Sequence, residues 1–239
     1  MVVGLFFLIA LAYASAGFGG GSSYTALLLW RGEELETVRV VSLACNLIVA
    51  GIGGGLSVKA RRVNLQLLGP LLLGAFPGVL WGAGMSLDSG GFQWVFGLAL
   101  LLAGAVLMIR FQDPEEVKKR TALQLVPLGA LLGLLAGVTG IGGGIYLVPV
   151  LHLMRAGRTK EIAAAGTWFI LINSAIGLAV IMFRGGAEPL RDFMLLPAAV
   201  VVGGFLGAWF LQGIFNAGWT RRVTGILVIV VAVRVLFEV

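Results

Sequence analysis

Charge is what this chain lacks. Lys, Arg, Asp and Glu together make up 12% of its 239 residues, about half the share found in a soluble domain. All 11 acidic residues lie in loops or at the ends of apolar runs. No run therefore carries a carboxylate in its middle, which excludes a carboxylate metal site, a paired acid–base reaction and a buried acidic proton relay. There is one histidine, His152, and one cysteine, Cys45. A lone cysteine cannot close an intrachain disulfide, and a histidine with no second ligand nearby is not a metal site. Cys45 is read as a packing residue and His152 as packing or interfacial. A Gly-x-Ser-x-Gly elbow is absent, and Ser22 and Ser23 have no partner base, so serine hydrolysis is not expected. Neither an enzyme nor a bound cofactor or metal follows from this inventory.

What the chain has instead is length without charge. Hydrophobic residues make up 59% of it, and mean hydropathy is +1.02. Uncharged runs cover 1–30, 40–58, 63–87, 89–109, 121–151, 162–183 and 193–220, and a bilayer-crossing helix needs about 20 residues. A last segment, 219–239, carries Arg221, Arg222 and Arg234 near its ends, where long side chains snorkel. The expected class is an all-α integral membrane protein of about eight transmembrane segments, with the lipid bilayer as its first partner. The first run has no basic n-region, so it is read as a retained segment rather than a signal peptide. The net charge of +6 is not a nucleic-acid footprint. Its basic residues cluster at segment ends, as in Lys59, Arg61, Arg62 and Lys118 to Arg120, which marks cytoplasmic loops.

Glycine organises the rest. Residues 139–149 read Thr-Gly-Ile-Gly-Gly-Gly-Ile-Tyr-Leu-Val-Pro, and residues 16–27 read Ala-Gly-Phe-Gly-Gly-Gly-Ser-Ser-Tyr-Thr-Ala-Leu. Gly17 aligns with Gly140, and Gly19, Gly20 and Gly21 align with Gly142, Gly143 and Gly144, about half a chain apart. The chain thus divides into a first four-segment repeat at 1–111, a cytoplasmic connector at 112–120 and a second four-segment repeat at 121–239. The runs 1–30 and 121–151 would each be about 45 Å long as one helix, against a hydrocarbon core of about 30 Å. Each must break at its glycines, as a discontinuous helix or a re-entrant hairpin. Single broken crossings give four crossings per half and parallel halves, whereas hairpins give three per half and inverted halves. The inverted model gathers twelve of the 17 Lys and Arg on the side of the 58–64 loop, the parallel model ten. The equal length and lack of charge of the two long runs favour the parallel model.

Other elements follow from the pattern. Residues 31–39 read as a polar loop. Asp113-Pro114-Glu115-Glu116 reads as a helix start. Gly74, Gly78 and Gly82 form a small-residue face for close helix packing, answered in the second half by Gly203, Gly204 and Gly207. Trp94 is an interfacial anchor.

The breaks are also the place for chemistry. A helix restarting after glycines presents unpaired N–H groups and a positive dipole end, which hold an anion without a buried cation. The candidate substrate contacts are Gly17, Gly19, Gly20, Gly21, Ser22 and Ser23 from the first break. From the second they are Thr139, Gly140, Gly142, Gly143, Gly144 and Tyr146, with Asn46 and Asn173 from the helices that follow. The two asparagines fit a substrate contact or an interhelical hydrogen bond equally well. The glycines alone also fit a membrane scaffold or assembly subunit, or a small-solute channel, in which they serve packing only.

A four-helix repeat opening each time with Gly-x-Gly-Gly-Gly, and Gly140-Ile141-Gly142-Gly143-Gly144 followed by Pro149, resembles the TauE/SafE family of sulfite exporters, within the 4-toluene sulfonate uptake permease superfamily. Ala163-Ala164-Ala165-Gly166-Thr167 after the second basic loop also looks like this family. The resemblance implies a secondary transporter or permease, probable exporter in the family's name, for small anions such as sulfite or organosulfonates across the bacterial inner membrane. It carries over residue by residue only to the glycine motifs and Pro149. The first half departs, with Ala26 in the place of Pro149 and Ser22 and Ser23 facing Ile145 and Tyr146. With no intramembrane carboxylate, proton or ion coupling would travel with a protonated substrate such as bisulfite.

Overall fold

The computed structural model describes residues 2–16, 20–85, 89–109, 114–185 and 193–210, and, in the last segment, 222, 225, 226, 228–230, 232, 233, 236 and 237. Among these there is helix and no strand. The helices are α1 (Val2–Ala16), α2 (Gly21–Trp30), α3 (Leu35–Lys59), α4 (Leu65–Gly84), α5 (Ser89–Leu107), α6 (Ala122–Thr139), α7 (Gly144–Leu153), α8 (Thr159–Phe183) and α9 (Leu195–Phe210). The described residues of the last segment are helical and pack on α5, Ile229 against Gly104 and Leu236 against Gly97. Of the described helices, α3, α4, α6 and α8 are long and apolar enough to cross a membrane, and α1, α7 and α9 are shorter apolar helices.

Two boundaries differ from the sequence expectation. The polar loop ends at Glu34, not Arg39, because α3 begins at Leu35 with Glu36 in its first turn, where a carboxylate favours the helix dipole. Pro114 to Thr121 are not helical, so the expected start around Asp113-Pro114 does not form there; Asp113 itself lies outside the described residues. The connector is held by backbone instead. Lys118 N–H donates to Arg155 O at 2.9 Å, and Arg120 Nε donates to Met154 O at 3.1 Å.

Glycine contacts give the helix directions. Gly74, Gly78 and Gly82 of α4 meet Val126, Ala130 and Leu134 of α6 in ascending order, and Gly129, Gly133 and Gly137 meet Leu71, Ala75 and Val79 in return. The two helices therefore run parallel, backbone on backbone, as a small-residue face on each side permits. Gly203 and Gly207 of α9 meet Phe7 and Leu11 of α1 in the same sense. Gly204 does not share that face; it points at Ile52 of α3. Between α3 and α8 the order reverses: Ser57 meets Trp168, Gly53 meets Thr167 and Leu43 meets Gly177. These two run antiparallel.

The long runs turn back on themselves. Helix α8 runs with α4, since Val79 meets Gly177 and Gly84 meets Arg184, while α7 runs against α8, since Gly144 meets Ile170 and Val148 meets Gly166. Helix α6 runs with α4, so α6 and α7 form a hairpin. Phe6 of α1 stacks on Tyr24 of α2 with centroids 4.8 Å apart, whereas one continuous helix would separate them by about 27 Å. The expectation of parallel halves is thereby corrected. α3 and α8 occupy matching places in the two halves and point in opposite directions, as inverted halves require. A glycine break leaves the next direction to tertiary partners, and here α4 and α9 supply them.

The core follows the same exchange. One cluster joins Phe6, Ala10 and Ala14 of α1 and Tyr24, Val41 and Val49 of α2 and α3 to Val200 and Ala208 of α9. Another joins Leu68, Leu71 and Ala75 of α4 to Leu125 and Leu132 of α6 and Leu147 and Phe169 of α7 and α8. A third, with Val40, Leu43, Leu178 and Ile181, fills the α3–α8 contact. Each side of the bundle is thus built from both halves. Large apolar residues left exposed, among them Leu73, Trp81, Leu123, Phe183 and Trp209, form an outer surface suited to acyl chains rather than water.

Candidate functional site

The second break is a turn that only glycine makes without strain. Helix α6 ends on Gly140 (φ 71°), whose N–H bonds Ala136 O at 2.9 Å, and Gly142 and Gly143 both have φ 81°. Such angles cost a side chain about 1–2 kcal/mol. Space is short as well. A Cβ on Gly142 would stand 2.8 Å from Ser174 Oγ, and one on Gly143 would stand 2.8 Å from the Phe169 ring. Gly143 then caps α7, its carbonyl accepting from Tyr146 N and Leu147 N at 3.1 Å. Pro149 sits buried inside α7, where it leaves the Ile145 carbonyl without a helical donor.

Three side chains fasten this turn. Asn46 Nδ2 donates to Ile141 O at 3.1 Å, Asn173 Nδ2 reaches Gly142 O at 3.5 Å, and Arg39 Nη2 donates to Gly137 O at 2.7 Å. Because a carbonyl only accepts, each asparagine must turn its nitrogen to the turn and its oxygen away. Asn46 Oδ1, Asn173 Oδ1 and Ser174 Oγ are buried with no hydrogen-bond partner among the described residues. Thr139 donates to Leu135 O at 2.7 Å within its own helix, and Tyr146 is buried beside it.

The first break is held differently. Gly17 and Gly19 lie outside the described residues. Gly20 caps α2 with φ −87°, an ordinary angle, and accepts from Ser23 N and Tyr24 N at 3.0 and 3.2 Å. Ser22 and Ser23 are buried. Ser23 Oγ and Tyr13 OH lie 2.7 Å apart, and Thr25 Oγ1 donates to Ser42 Oγ at 2.9 Å. Gly21 touches the Asn46 amide, and no Cβ would fit between them.

Asn46 therefore stands against both breaks, at the start of α2 and at Ile141 just before α7. These two helices run in opposite directions, so two N-termini converge on one buried amide. Each brings N–H groups without intrahelical partners and about half a positive charge. The site pairs these donors with two amide oxygens and a hydroxyl as acceptors. The halves do not contribute alike. Ile170 meets Gly144 as Asn46 meets Gly21, so Asn173 is not the counterpart of Asn46 and reaches the turn from further along α8.

Of the remaining expected residues, Gly78 and Gly82 meet the backbone of α6, Gly207 meets that of α1, and Gly204 faces Ile52, all away from the breaks. Sequence reasoning missed Arg39, Ser174, Tyr13, Thr25 and Ser42. A signal existed for one group: Arg39, Ser42 and Asn46 are spaced three and four residues apart on α3, one polar stripe on a helix otherwise apolar at depth.

The model of the family described as sulfite exporter TauE/SafE matches residues 2–235. A probable membrane transporter protein of Sinorhizobium fredii is 30% identical over 97% of this chain and 96% of its own length. A probable membrane transporter protein of Bacillus subtilis is 27% identical over 80% of this chain and 81% of its own. A sulfite exporter TauE/SafE family protein of Arabidopsis thaliana is 38% identical over 29% of this chain and 15% of its own. No solved structure matches.

Proposed function

The chain belongs to the sulfite exporter TauE/SafE family of multi-pass membrane transporters, and from that premise we propose that it is a secondary transporter of small anions such as sulfite or organosulfonates across the bacterial inner membrane. Export is the proposed direction. Each half contributes a re-entrant hairpin and three crossings, eight membrane segments in all, of which six cross. The substrate lies between the two breaks. The observation that carries this reading is the convergence of the α2 and α7 N-termini on Asn46, with carbonyls and hydroxyls tied around it.

The mixture of groups narrows the cargo. Helix N-termini donate and so hold oxyanion oxygens. Asn46 Oδ1 and Asn173 Oδ1 are left to accept, and an oxyanion that carries its own O–H, such as hydrogensulfite, offers oxygens to the N–H groups and its one O–H to either amide oxygen. A proton then crosses with the substrate and needs no carboxylate relay. Gly17, Gly19, Gly20, Gly21, Ser22 and Ser23 would line the first side. Thr139, Gly140, Gly142, Gly143, Gly144 and Tyr146 would line the second.

The test is uptake of a panel of sulfur oxyanions and carboxylates into proteoliposomes, with and without a pH gradient. Saturable, counterflow-competent flux of at least one oxyanion is expected, and flux lost in both Gly20→Leu and Gly143→Leu while the proteins still insert. Flux retained in both variants would sink the proposed site, and non-saturating flux would point to a channel.

A further inference from the structure

Arg39 precedes Asn46 by two turns on the same face of α3, about 10 Å along the helix axis, with Ser42 between them. Its Nη2 donates to Gly137 O at 2.7 Å and to Ala83 O at 3.3 Å, and its Nε is buried with no partner among the described residues. Its stem lies on the turn itself, where a Cβ at Gly140 would be 3.0 Å from Arg39 Cγ. At the same end of the bundle, exposed Arg184 closes α8 and donates from Nη1 to Gly84 O at 2.6 Å. The two guanidinium groups thus bond consecutive carbonyls of α4, Ala83 and Gly84.

These arginines cap the C-terminal ends of two parallel helices, α4 and α6. Each such end offers about half a negative charge, so together the caps carry about one positive charge more than the ends they cover. Glu36 lies exposed one turn before Arg39, and among the described residues no ion pair joins the two. Among the described residues the ion pair on this face is Arg31 with Glu33, at 3.4 Å. The basic residues of the loops and adjoining helix ends lie at the opposite face: Lys59 at the end of α3 with Arg61 and Arg62 after it, Lys118 to Arg120 before α6, Arg155 and Arg158 between α7 and α8, and Lys160 in the first turn of α8. The face of Arg39 is therefore the outer one by the distribution of basic residues.

We propose that Arg39 and Arg184 form a second anion site, a holding position for small oxyanions at the outer mouth of the α6–α7 hairpin, distinct from the site at Asn46. Guanidinium N–H groups not spent on helix carbonyls bind the oxyanion, and their planar fork suits sulfite, sulfonate, sulfate or phosphate groups alike. From there Ser42 and Asn46 lie along the same face of α3, directly inward. Passage to Asn46 rests on the transport reading, whereas binding at the arginines does not.

Sulfite flux in vesicles sorted by orientation separates this role from helix capping. Arg39→Gln is expected to raise KM about tenfold or more for sulfite presented at the outer face and, because Arg39 also ties the Gly137 carbonyl behind the turn, to raise KM at the basic-loop face by a clearly smaller factor. Arg184→Gln gives a smaller rise of the same sidedness. Arg39→Lys keeps the charge without the fork and recovers part of the loss. Added salt weakens outer-face KM in the wild type and not in Arg39→Gln. Unchanged outer KM in both charge-removing variants, or an equal rise at both faces, overturns the proposal; if Arg39→Gln does not insert, Arg184→Gln decides by the same criterion. Where no oxyanion is transported at all, the transport reading fails but this one remains testable. Thermal stabilisation of purified protein by sulfite that disappears in Arg184→Gln supports the site, and stabilisation unaltered by that change overturns it.

Discussion

At the tip of the α6–α7 hairpin three glycines adopt left-handed angles, and the carbonyls around them are tied by Asn46, Asn173 and Arg39. At the tip of α1–α2, Gly20 has an ordinary angle, and the ties described there join hydroxyl to hydroxyl, Tyr13 with Ser23 and Thr25 with Ser42. Two copies of one glycine motif are thus stabilised by different chemistry. A backbone turn fixed by amides and a guanidinium has one geometry available to it. Hydroxyl pairs can exchange partners with a ligand at little cost, since each oxygen both donates and accepts. The second tip is the fixed wall of the proposed site and the first tip its adaptable one.

The helix contacts behind the tips differ in the same direction. Glycines line both α4 and α6, whereas α9 brings glycines to an α1 that offers Phe7 and Leu11. The largest expected effect is Gly78→Leu, which drives a side chain into the Ala130 carbonyl from a helix that cannot retreat. It should cost about 3 kcal/mol or more, seen as loss of inserted, monodisperse protein. Normal yield would show that the α4–α6 contact is looser than the glycines imply.

Next, Gly143→Ala should abolish flux, since a methyl there meets both a left-handed angle and the Phe169 ring. Gly20→Ala should keep a good part of it, because only the Tyr24 ring must shift. Equal loss in the two would erase the distinction between a fixed and an adaptable tip. Third, Asn46→Ala removes contacts to both breaks, and Asn173→Ala removes one long contact to a single break. Leaving the Ile141 carbonyl unpaired should lower the melting transition by the equivalent of about 1–3 kcal/mol, with Asn173→Ala the milder. The reverse order would move the centre of the site towards α8. The smallest effect is expected from Ser23→Ala, about 1 kcal/mol of stability from one hydroxyl bond, with a measurable change in KM if that hydroxyl also meets substrate. A large loss of stability with unchanged KM would make the Tyr13–Ser23 bond purely structural.

Much of this was legible before any coordinates. Runs too long for one bilayer, glycines in register half a chain apart and a packing face at Gly74, Gly78 and Gly82 are all sequence facts, and they fix where the chain breaks and where helices approach closely. The direction of the chain after each break was not. A hairpin and a broken crossing need the same glycines and the same uncharged length, and the choice falls to partners some 50 or more residues away, such as Gly78 of α4 lying along α6. The excess of basic residues on one side did favour the hairpin, but by a margin that a few arginines near the last segment supply. Arg39 was hidden for another reason. Next to Glu33, Glu34 and Glu36 it looks like loop, and only its helical spacing from Ser42 and Asn46 separates it from them. Asn46 and Asn173 look like a repeat pair, yet Ile170 holds the matching place, because one copy has kept or gained a polar group where the other has an apolar one.

The exchange of helices between halves has a consequence for how the chain is made. Helix α4 finds its parallel partner in α6, and α1 finds its own in α9, so the first repeat leaves the translocon with its glycine faces uncovered. Among the described residues, neither half of the chain has a finished interior of its own. Folding must wait for the last third of the chain to enter the bilayer, and the connector, whose backbone reaches across to the α7–α8 loop, then joins two units already interlocked. The result is closer to a clasp than to a pair of domains, closed only when both arms are present.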